Sequence, residues 1–384
     1  MDKIDLNLIR KQITELDETL LKLLAQRRQL SLQVVKSKIQ DLKPVRDHYR
    51  ESLLLENLVE KGRKLDLSGD YIHRVYRNII EDSVELQQDF LLKLDNPKLK
   101  NGQYKIAYLG SPGSYSYNAV DKYLTSINGE LIDVGCKTFD EIFAAVENKQ
   151  AEIGLLPIEN TSSGSINEVY DLLQTTRLKI IDEVYIPVRH SLLGKPGSKI
   201  EDIHTIYAHH QPIAQCSEFL ASLPGVKLKN MDSTSSALAY VSQLEDPNVA
   251  VLGSIEAGKV HQLTPLQNNI ANQKINQTRF IVVAKEGIQV PLGCAAKTSL
   301  VISVGQRPGA LVDALAILKD HQINMCKIES RPIQGKPWEE MFYIDVTENL
   351  RKEKLQNALQ VLKANVHHYS ELGCYVRRSI PEEA

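Results

Sequence analysis

Residues 154–166, reading GLLPIENTSSGSI, constrain the fold most because an apolar run stops abruptly in a cluster of hydroxyls and amides. The run has the length and composition of a buried parallel strand. Helical spacing follows from Asn167, so the cluster falls between the carboxyl end of a strand and the amino end of a helix. Ligands bind there in open α/β sheets, and free helix N–H groups favour a carboxylate or phosphate. A simple helix cap is the alternative, but five consecutive polar residues that include Glu159 favour a binding site.

Bulk composition excludes several classes of protein. The 384 residues suffice for two or three domains, each with its own core. With 42% hydrophobic residues, 24% charged residues and a net charge of −2, no basic excess points to nucleic acid. No signal sequence and no window of 18 uncharged apolar residues is found, which predicts a cytoplasmic protein without a membrane segment. Five scattered cysteines without a C-x-x-C pair predict no metal site, and the lack of a nucleotide fingerprint predicts no cofactor.

Residues 1 to 94 favour helix throughout, since they contain two glycines and one proline, and three helices are predicted with breaks near 40–46 and 62–69. Each helix carries an apolar stripe that is interrupted by polar residues, and these interruptions are expected at a similar height in the three helices. In the first helix these are Arg27 and Lys38, which share nearly one face about 16 Å apart along the axis. In the other two helices they are Asp47, Arg50, Glu51, Ser83 and Gln87.

Two explanations of these polar residues remain open. Arg27 could form an internal ion pair with Glu51 or Asp47, because buried charge must be paired. Alternatively, the groups bind a ligand. A first helix of about 35 residues would be about 50 Å long, more than a compact 94-residue unit can hold, and Arg10 lies about 25 Å from Arg27 on another face. An intertwined homodimer would bring the partner subunit's Arg10 into the pocket, where the surplus of positive charge suits a dianion.

The segments LIR, LAQRRQL, PVRDHYRE and IIEDSVELQQ resemble the all-helical chorismate mutase domain over the whole of residues 1–94. The resemblance implies rearrangement of chorismate to prephenate, in which arginines hold both carboxylates so that the substrate adopts its reactive conformer. Lys38 and Gln87 would donate to the ether oxygen, where negative charge develops. The implied site consists of Arg10 from the partner chain, Arg27, Lys38, Asp47, Arg50, Glu51, Ser83 and Gln87.

Residues 104–285 alternate short apolar runs with helical segments, which predicts a largely parallel sheet arranged as two lobes with a cleft between them. The predicted strands cover 104–109, 130–135, 152–158, 178–186, 204–208, 226–229, 248–252 and 278–284. Polar clusters recur where strands give way to helices, at Ser114 to Ser116, Glu159 to Ser165, His209 to Gln215 and Ser233 to Ser236. Because these positions are equivalent in the pattern, we expect the clusters to line the cleft.

Those segments, with Thr278 in NQTRF, resemble prephenate dehydratase, whose two lobes are like those of solute-binding proteins. The resemblance implies that prephenate loses carbon dioxide and its ring hydroxyl to give phenylpyruvate, with Thr278 positioning and polarising that hydroxyl. An ordinary strand threonine is the alternative. The implied cleft residues are Ser114, Glu159, Asn160, Thr161, His209 and Gln215. The family commonly has serine where this chain has Ala208, so no hydroxyl at that position can be essential here.

Residues 297–378 have the order βαββαβ, which predicts a ferredoxin-like arrangement. GALV and ESRP in this segment resemble the ACT domain, which implies phenylalanine bound between paired domains. A helix start after Pro308 offers backbone N–H groups to a carboxylate. The implied contacts are Gly309, Ala310, Leu311, Val312, Glu329, Ser330, Arg331 and Pro332. A dimerisation module without a ligand is the alternative.

The three resemblances in this order predict a multidomain chain, with an all-α mutase domain (1–94), an α/β two-lobed, periplasmic-binding-protein-like dehydratase domain (104–285) and an α+β ferredoxin-like ACT domain (297–378). Such a chain resembles the bifunctional P-protein family of phenylalanine biosynthesis, inhibited by phenylalanine. It would be a homodimer through its helices and ACT domains, without nucleic acid, membrane, metal or cofactor. Two rivals remain: a non-enzymatic amino-acid-binding regulator, which would leave the helical pocket unexplained, and a mutase–dehydrogenase fusion, which needs an absent nicotinamide fingerprint.

Overall fold

The computed structural model describes residues 5–39, 44–99, 102–333 and 335–379. The chain divides into two compact units. One is the helical unit, which contains the chain up to Leu99 together with Gln289–Ala295, and the other contains residues 102–288 and 296–379. Within the described ranges, no helix combines the length and the apolarity that crossing a bilayer requires.

The helical unit consists of α1 (Leu6–Lys38), α2 (His48–Arg63) and α3 (Gly69–Asp95). Asp5 caps α1 by accepting hydrogen bonds from the N–H groups of Asn7 and Leu8, and Ser68 caps α3 in the same way through Tyr71 N. With 33 residues, α1 is about 50 Å long, as the sequence predicts.

The apolar stripe of α1 is mostly exposed in the single chain. Leu16 is 69% exposed and Leu30 is 59% exposed, while the buried residues of α1 are Ser31 and Val35. Leucines at this exposure make an apolar surface that a soluble chain normally covers.

The first lobe contains β1 (Gly102–Leu109), α4 (Tyr115–Ile127), β2 (Gly129–Cys136), α5 (Phe139–Glu147), β3 (Ile153–Asn160), β4 (Gly164–Ser165), α6 (Asn167–Leu173) and β5 (Lys179–Pro187). The second lobe contains β6 (Ser191–Gly194), β7 (Thr205–Ala208), α7 (His210–Gln215), α8 (Ser217–Ala221), β8 (Lys227–Asn230), α9 (Thr234–Gln243), β9 (Val249–Gly253), α10 (Ile255–Val260) and β10 (Thr264–Gln267). The chain then returns to the first lobe as β11 (Gln277–Ala284).

Both sheets of the two lobes are mixed, where the sequence predicted a largely parallel sheet. In the first, ordered β2-β1-β3-β11-β5, the strand β1 is parallel to its neighbours, but β11 runs antiparallel to β3 and β5. In the second, ordered β10-β6-β9-β7-β8, the strand β7 is parallel to its neighbours, but β6 is antiparallel. The chain crosses between the lobes twice, after β5 and before β11, and these crossings allow antiparallel neighbours in each sheet. The alternation of strands and helices in the sequence does not reveal such crossings.

The C-terminal domain contains β12 (Ala296–Ser303), α11 (Ala310–Asp320), β13 (Met325–Pro332), β14 (Glu340–Val346), α12 (Glu353–Asn365) and β15 (His368–Val376). Its antiparallel sheet has the order β13-β14-β12-β15, which confirms the ferredoxin-like prediction. One face, with Leu300 and Ile344, packs on α11 and α12. The other, with Val301 and Tyr375, packs on the first lobe, so the two sheets share a core.

The shared core requires glycine at position 373, because a Cβ there would collide with the backbone carbonyl oxygen of Ile180 in β5. We expect Gly373→Ala to lower the free energy of unfolding by about 1–3 kcal/mol, measured by urea titration. Gly102→Ala is the matched control, since no atom lies within 4 Å of the Cβ it would add. Equal stability of the two variants would contradict this account of the sheet contact.

Candidate functional sites

In the helical unit, α1 and α3 bring three of the predicted residues into contact. Arg27 Nη1 donates to Ser83 Oγ and, at 3.1 Å, to the carbonyl oxygen of Ile79. One turn later, Gln87 Nε2 donates to the carbonyl oxygen of Ser83 at 3.1 Å. Gln87 Oε1 is buried and has no hydrogen-bond partner among the described residues, and such an oxygen in a native structure calls for an explanation. A ligand at this level provides one.

Arg46, which the sequence analysis did not single out, pairs with Glu51 at 3.2 Å and also with Glu81. The predicted internal pair of Arg27 with Glu51 or Asp47 is therefore not the arrangement found. Asp47 instead caps α2 by accepting from Arg50 N at 3.0 Å.

The remaining mutase candidates lie outside the contact group of Arg27, Ser83 and Gln87. Lys38 Nζ donates to the carbonyl oxygens of Pro44 and Val45 at 3.0 and 2.8 Å. Arg50 is exposed on α2, and Arg10 is exposed near the start of α1. A single chain therefore provides part of the predicted pocket.

In the two-lobed region, Asn160 and Thr278 face each other as register partners of β3 and β11. Asn160 Nδ2 donates to Thr278 Oγ1 at 2.9 Å and to Asn276 Oδ1 at 2.7 Å, and Asn160 Oδ1 accepts from Ser162 N and Ser163 N at 2.9 Å each. Asn160 is buried and its amide is fully engaged within the protein. It therefore positions Thr278, whereas the sequence analysis expected it to contact substrate.

This contact also orients the Thr278 hydroxyl. Its oxygen accepts from Asn160, and among the described residues no hydrogen bond donated by this hydroxyl is present. A hydroxyl has one proton to donate, and none of the described residues accepts it.

A chain of polar contacts connects this pair to the second lobe through Gln215 of α7. Asn276 Nδ2 donates to Gln215 Oε1 at 3.1 Å, and His190 Nε2 lies 2.7 Å from the same oxygen. Because Gln215 Oε1 accepts, His190 has its proton on Nε2, and Nδ1 lies 3.3 Å from the Tyr115 hydroxyl. Burial lowers the pKa of His190, although the Gln215 hydrogen bond opposes this shift in part.

Ser114, another predicted cleft residue, lies at the junction between β1 and α4. Ser114 caps α4 by accepting from Tyr117 N at 3.1 Å. A Cβ built on Gly110 would lie 3.5 Å from Ser114 Oγ and 3.9 Å from Ser235 Oγ, so junctions of the two lobes face each other here. Ala208 is buried at the end of β7.

Three more predicted residues have different surroundings. Thr161 Oγ1 accepts from Gln277 N at 2.9 Å. His209 stacks on His210 with ring centroids 3.9 Å apart, and burial together with this neighbour lowers the pKa of His209. Glu159 makes its ion pairs with Arg279 and with Lys327 of the C-terminal domain, away from the Asn160 cluster.

The ESRP segment in β13 contacts the first lobe. Glu329 Oε2 accepts from Ser165 Oγ at 2.5 Å, and Arg331 makes two 2.8 Å bonds to Asp171. Pro332 O accepts from Gln174 Nε2 at 3.0 Å, while Ser330 is exposed.

The GALV segment begins α11. Gly309 has φ of +82°, and none of the described side chains caps the helix. Ala310 is buried, Leu311 is half-buried and Val312 is exposed. The four residues therefore leave the first N–H groups of an 11-residue helix without a side-chain partner.

Sequence reasoning missed His190, Asn276 and Arg46. His190 and Arg46 stand alone in their segments, without a periodic pattern that would single them out. Asn276 begins the NQTRF segment and could have been included with Thr278. Within the described ranges, no group of three or more His, Cys, Asp or Glu side chains is arranged to hold a metal ion.

Comparison with known proteins gives three family matches in the predicted order. Residues 9–88 match the type II chorismate mutase model, residues 106–288 the prephenate dehydratase model and residues 298–364 the ACT domain model. The bifunctional chorismate mutase/prephenate dehydratase of Enterobacter agglomerans is 44% identical over 97% of this chain and 96% of its own length.

Two solved structures are similar in fold to 71% of this chain. A prephenate dehydratase from Arthrobacter aurescens, in complex with L-Phe, is 24% identical with a TM-score of 0.66, covering 71% of this chain and 90% of that one. GqqA, described as a novel type of quorum quenching acylase, is 29% identical with a TM-score of 0.64, covering 71% of this chain and 97% of that one.

The buried His190 predicts a pH dependence of stability. Its pKa is lowered in the folded state, whereas an unfolded histidine titrates near about 6.5. Below about pH 6.5 the unfolded chain therefore binds a proton that the folded chain does not, so the stability that the neutral imidazole contributes is lost as pH falls. We expect His190→Gln, which keeps a donor toward Gln215, to lose less stability than the parent between pH 7 and 5.5 in urea titrations.

The matched control is His368→Gln, a change at an exposed imidazole of β15, which should reproduce the parent's pH dependence. If His190→Gln followed the parent curve, the buried neutral imidazole would not be the group responsible.

Proposed function

The chain belongs to the family of bifunctional chorismate mutase/prephenate dehydratases, and we propose that it converts chorismate to prephenate in its helical unit and prephenate to phenylpyruvate in its two-lobed cleft. The observation that carries the proposal is the Thr278 hydroxyl, whose oxygen is held by Asn160 and whose proton remains for a ligand.

In the dehydratase step, the carbon–carbon bond to the ring carboxylate breaks to release carbon dioxide, and its electron pair makes the ring aromatic as the ring hydroxyl leaves. The departing hydroxide takes a proton from solvent and becomes water. Hydroxide leaves poorly, so hydrogen-bond donation to the departing oxygen lowers the barrier. Thr278 is too weak an acid to be fully ionised in this step, and its role is to hold and polarise the leaving hydroxyl. His209 and Ser114, at junctions of the two lobes, are the proposed contacts of substrate carboxylates.

In the mutase step, catalysis is conformational and electrostatic. Arg27, held by Ser83, binds a substrate carboxylate, and the positive groups together select the conformer in which the new carbon–carbon bond can form. The second Nε2 hydrogen of Gln87 is available for the ether oxygen, because an amide has two donors and one is used by Ser83 O. Lys38 is the second proposed donor to that oxygen, and Asp47, Arg50 and Glu51 complete the proposed site.

Phenylalanine is the proposed effector of the C-terminal domain. The relative from Arthrobacter aurescens is described in complex with L-Phe, and α11 of this chain offers N–H groups without a side-chain cap at Gly309. The ESRP segment of the same C-terminal domain contacts the first lobe. An effector bound near α11 therefore occupies the domain that directly touches the lobe containing β3 and β11. We also place the enzyme in the cytoplasm, a reducing compartment that suits its five free cysteines.

A homodimer through α1 is proposed because its apolar stripe is uncovered in the single chain. Ile13, Leu16 and Leu20 are 52%, 69% and 54% exposed on the segment that also carries Arg10. A partner helix packed on this stripe would bury these three side chains and bring the partner subunit's Arg10 toward Arg27. Pairing of the C-terminal domains is proposed as a second contact between chains.

The two activities should be separable by substitution. Gln87→Ala should abolish conversion of chorismate while supplied prephenate is still converted, and Thr278→Ala should lower the prephenate rate by about 10² to 10³ while the mutase rate is retained. Thr278→Ser, which keeps the hydroxyl, should retain more activity than Thr278→Ala. The measurements are chorismate consumption and phenylpyruvate absorbance; parallel loss of both activities in a folded variant would refute two separate sites.

Mixed dimers test the proposed intertwined mutase site. Arg10→Ala and Arg27→Ala chains, each inactive alone, should regenerate chorismate turnover after subunit exchange, because one pocket of the mixed dimer receives both arginines. Arg10→Ala mixed with a chain carrying Arg10→Ala and Arg27→Ala is the control and should stay inactive. Absence of recovery after exchange is verified by mass would exclude the arrangement.

A further inference from the structure

The catalytic pair and an ionic pair occupy neighbouring positions of one strand ladder. Thr278 of β11 is the register partner of Asn160 in β3, and the next pair along is Arg279 with Glu159. Successive side chains of a strand point to opposite faces of the sheet. The Asn160–Thr278 pair therefore faces one side and the Glu159–Arg279 pair, joined at 2.9 Å, faces the other.

The face that carries Glu159 and Arg279 is covered by the C-terminal domain. Asp345 of β14 lies 2.8 Å from Arg279 Nη1, and Tyr375 of β15 accepts from Arg279 Nη2 at 2.8 Å. Lys327 of β13 lies 2.9 Å from Glu159 Oε2. Each member of the ionic pair is thus shared between its partner in the first lobe and an opposite charge from the C-terminal domain.

Two of these charges, Arg279 and Asp345, are deeply buried, whereas Lys327 and Glu159 are 24% and 26% exposed. The side chain of Arg279 is 4% exposed and that of Asp345 is 11% exposed. A cavity lined by Arg279, Lys327 and Asp345 has a volume of about 10 Å³, room for about one water molecule. No ligand fits there, so at this part of the contact the charged side chains themselves are the route by which a shift of the C-terminal domain reaches the strands.

Ionisation in this contact depends on the partners remaining in place. Burial alone would raise the pKa of Glu159, but Arg279 and Lys327 outweigh it and hold the pKa below its usual range. Burial would likewise raise the pKa of Asp345, which Arg279 and Lys297 lower. A displacement that withdraws one partner leaves a buried charge unpaired, which is strongly unfavourable.

We propose that Glu159 and Arg279 are positioning residues of the dehydratase, through which Lys327 and Asp345 of the C-terminal domain set the placement of Asn160 and Thr278. When β13 and β14 shift against the first lobe, Lys327 and Asp345 redistribute the bonds of Glu159 and Arg279. Because each of these is one residue from a member of the catalytic pair, the strand carries the change to the Thr278 hydroxyl. The inference rests on the proposed control by phenylalanine and names the contact that transmits it.

The test separates effector binding from effector action. Lys327→Met keeps an unbranched side chain one atom shorter and removes the charge. The variant should bind phenylalanine in calorimetry yet need at least about 5-fold more for half-inhibition, within the usual range of coupling between sites. Coupling is reciprocal, so a competitive inhibitor of the cleft should change phenylalanine affinity in the parent and do so less in Lys327→Met. Asp345→Asn is the second variant and should behave alike.

Lys179→Met is the matched control. Lys179 Nζ donates to the carbonyl oxygen of Glu371 in the C-terminal domain, but it lies at the far end of β5, opposite Ala284 rather than Thr278. This variant should keep the inhibition of the parent. Loss of inhibition in Lys179→Met as large as in Lys327→Met would overturn the proposal in favour of domain docking as a whole, as would parent-like inhibition of Lys327→Met and Asp345→Asn. A parent that phenylalanine does not inhibit would instead refute the proposed feedback control.

Discussion

The buried guanidinium of Arg279 is the interaction on which the larger unit depends. Burial alone would lower the pKa of Arg279, but Tyr375, Asp345 and Glu183 hold it above its ordinary value. Two of those groups come from the C-terminal domain, and Lys297 of that domain also reaches Glu183 at 2.6 Å. Removing one member of such a group costs about 3–5 kcal/mol, since a buried charge is left unpaired. The two sheets are therefore held together by mutual neutralisation as well as by their shared apolar core.

Strand alternation gives adjacent residues of the polar cluster different tasks. Asn160 faces Thr278 and donates to its hydroxyl, whereas Glu159 faces the C-terminal domain. Beyond the strand, Ser165 meets Glu329 of the same domain. A cluster that the sequence predicts to be one binding site thus holds the proposed catalytic residue Thr278 on one side and makes a domain contact on the other.

Local patterns predicted most of the fold, because helical and strand periodicity belong to the sequence itself. The three N-terminal helices and the eight predicted strands of the central region are all present. The four-residue strands β6 and β10 and the mixed sheets were not predicted, since they depend on where the chain crosses between lobes. The same limit applies to the site: NQTRF identifies Thr278, but the contacts of His190 and Arg46 arise only in three dimensions. Period-two alternation could have separated Glu159 from Asn160.

The helical unit and the larger unit differ in how much of their apolar surface a single chain buries. Strand β12 is buried along its entire length by elements of the same chain. By contrast, the buried residues of α1 are Ser31 and Val35, and its apolar stripe is exposed. Arg10 lies near the start of the same helix, far from Arg27. Each exposed leucine that a partner covers contributes about 1.5–3 kcal/mol. In the proposed dimer, the same association therefore buries α1 and completes the mutase pocket. By contrast, Thr278, Asn160 and Gln215 come together within a single chain.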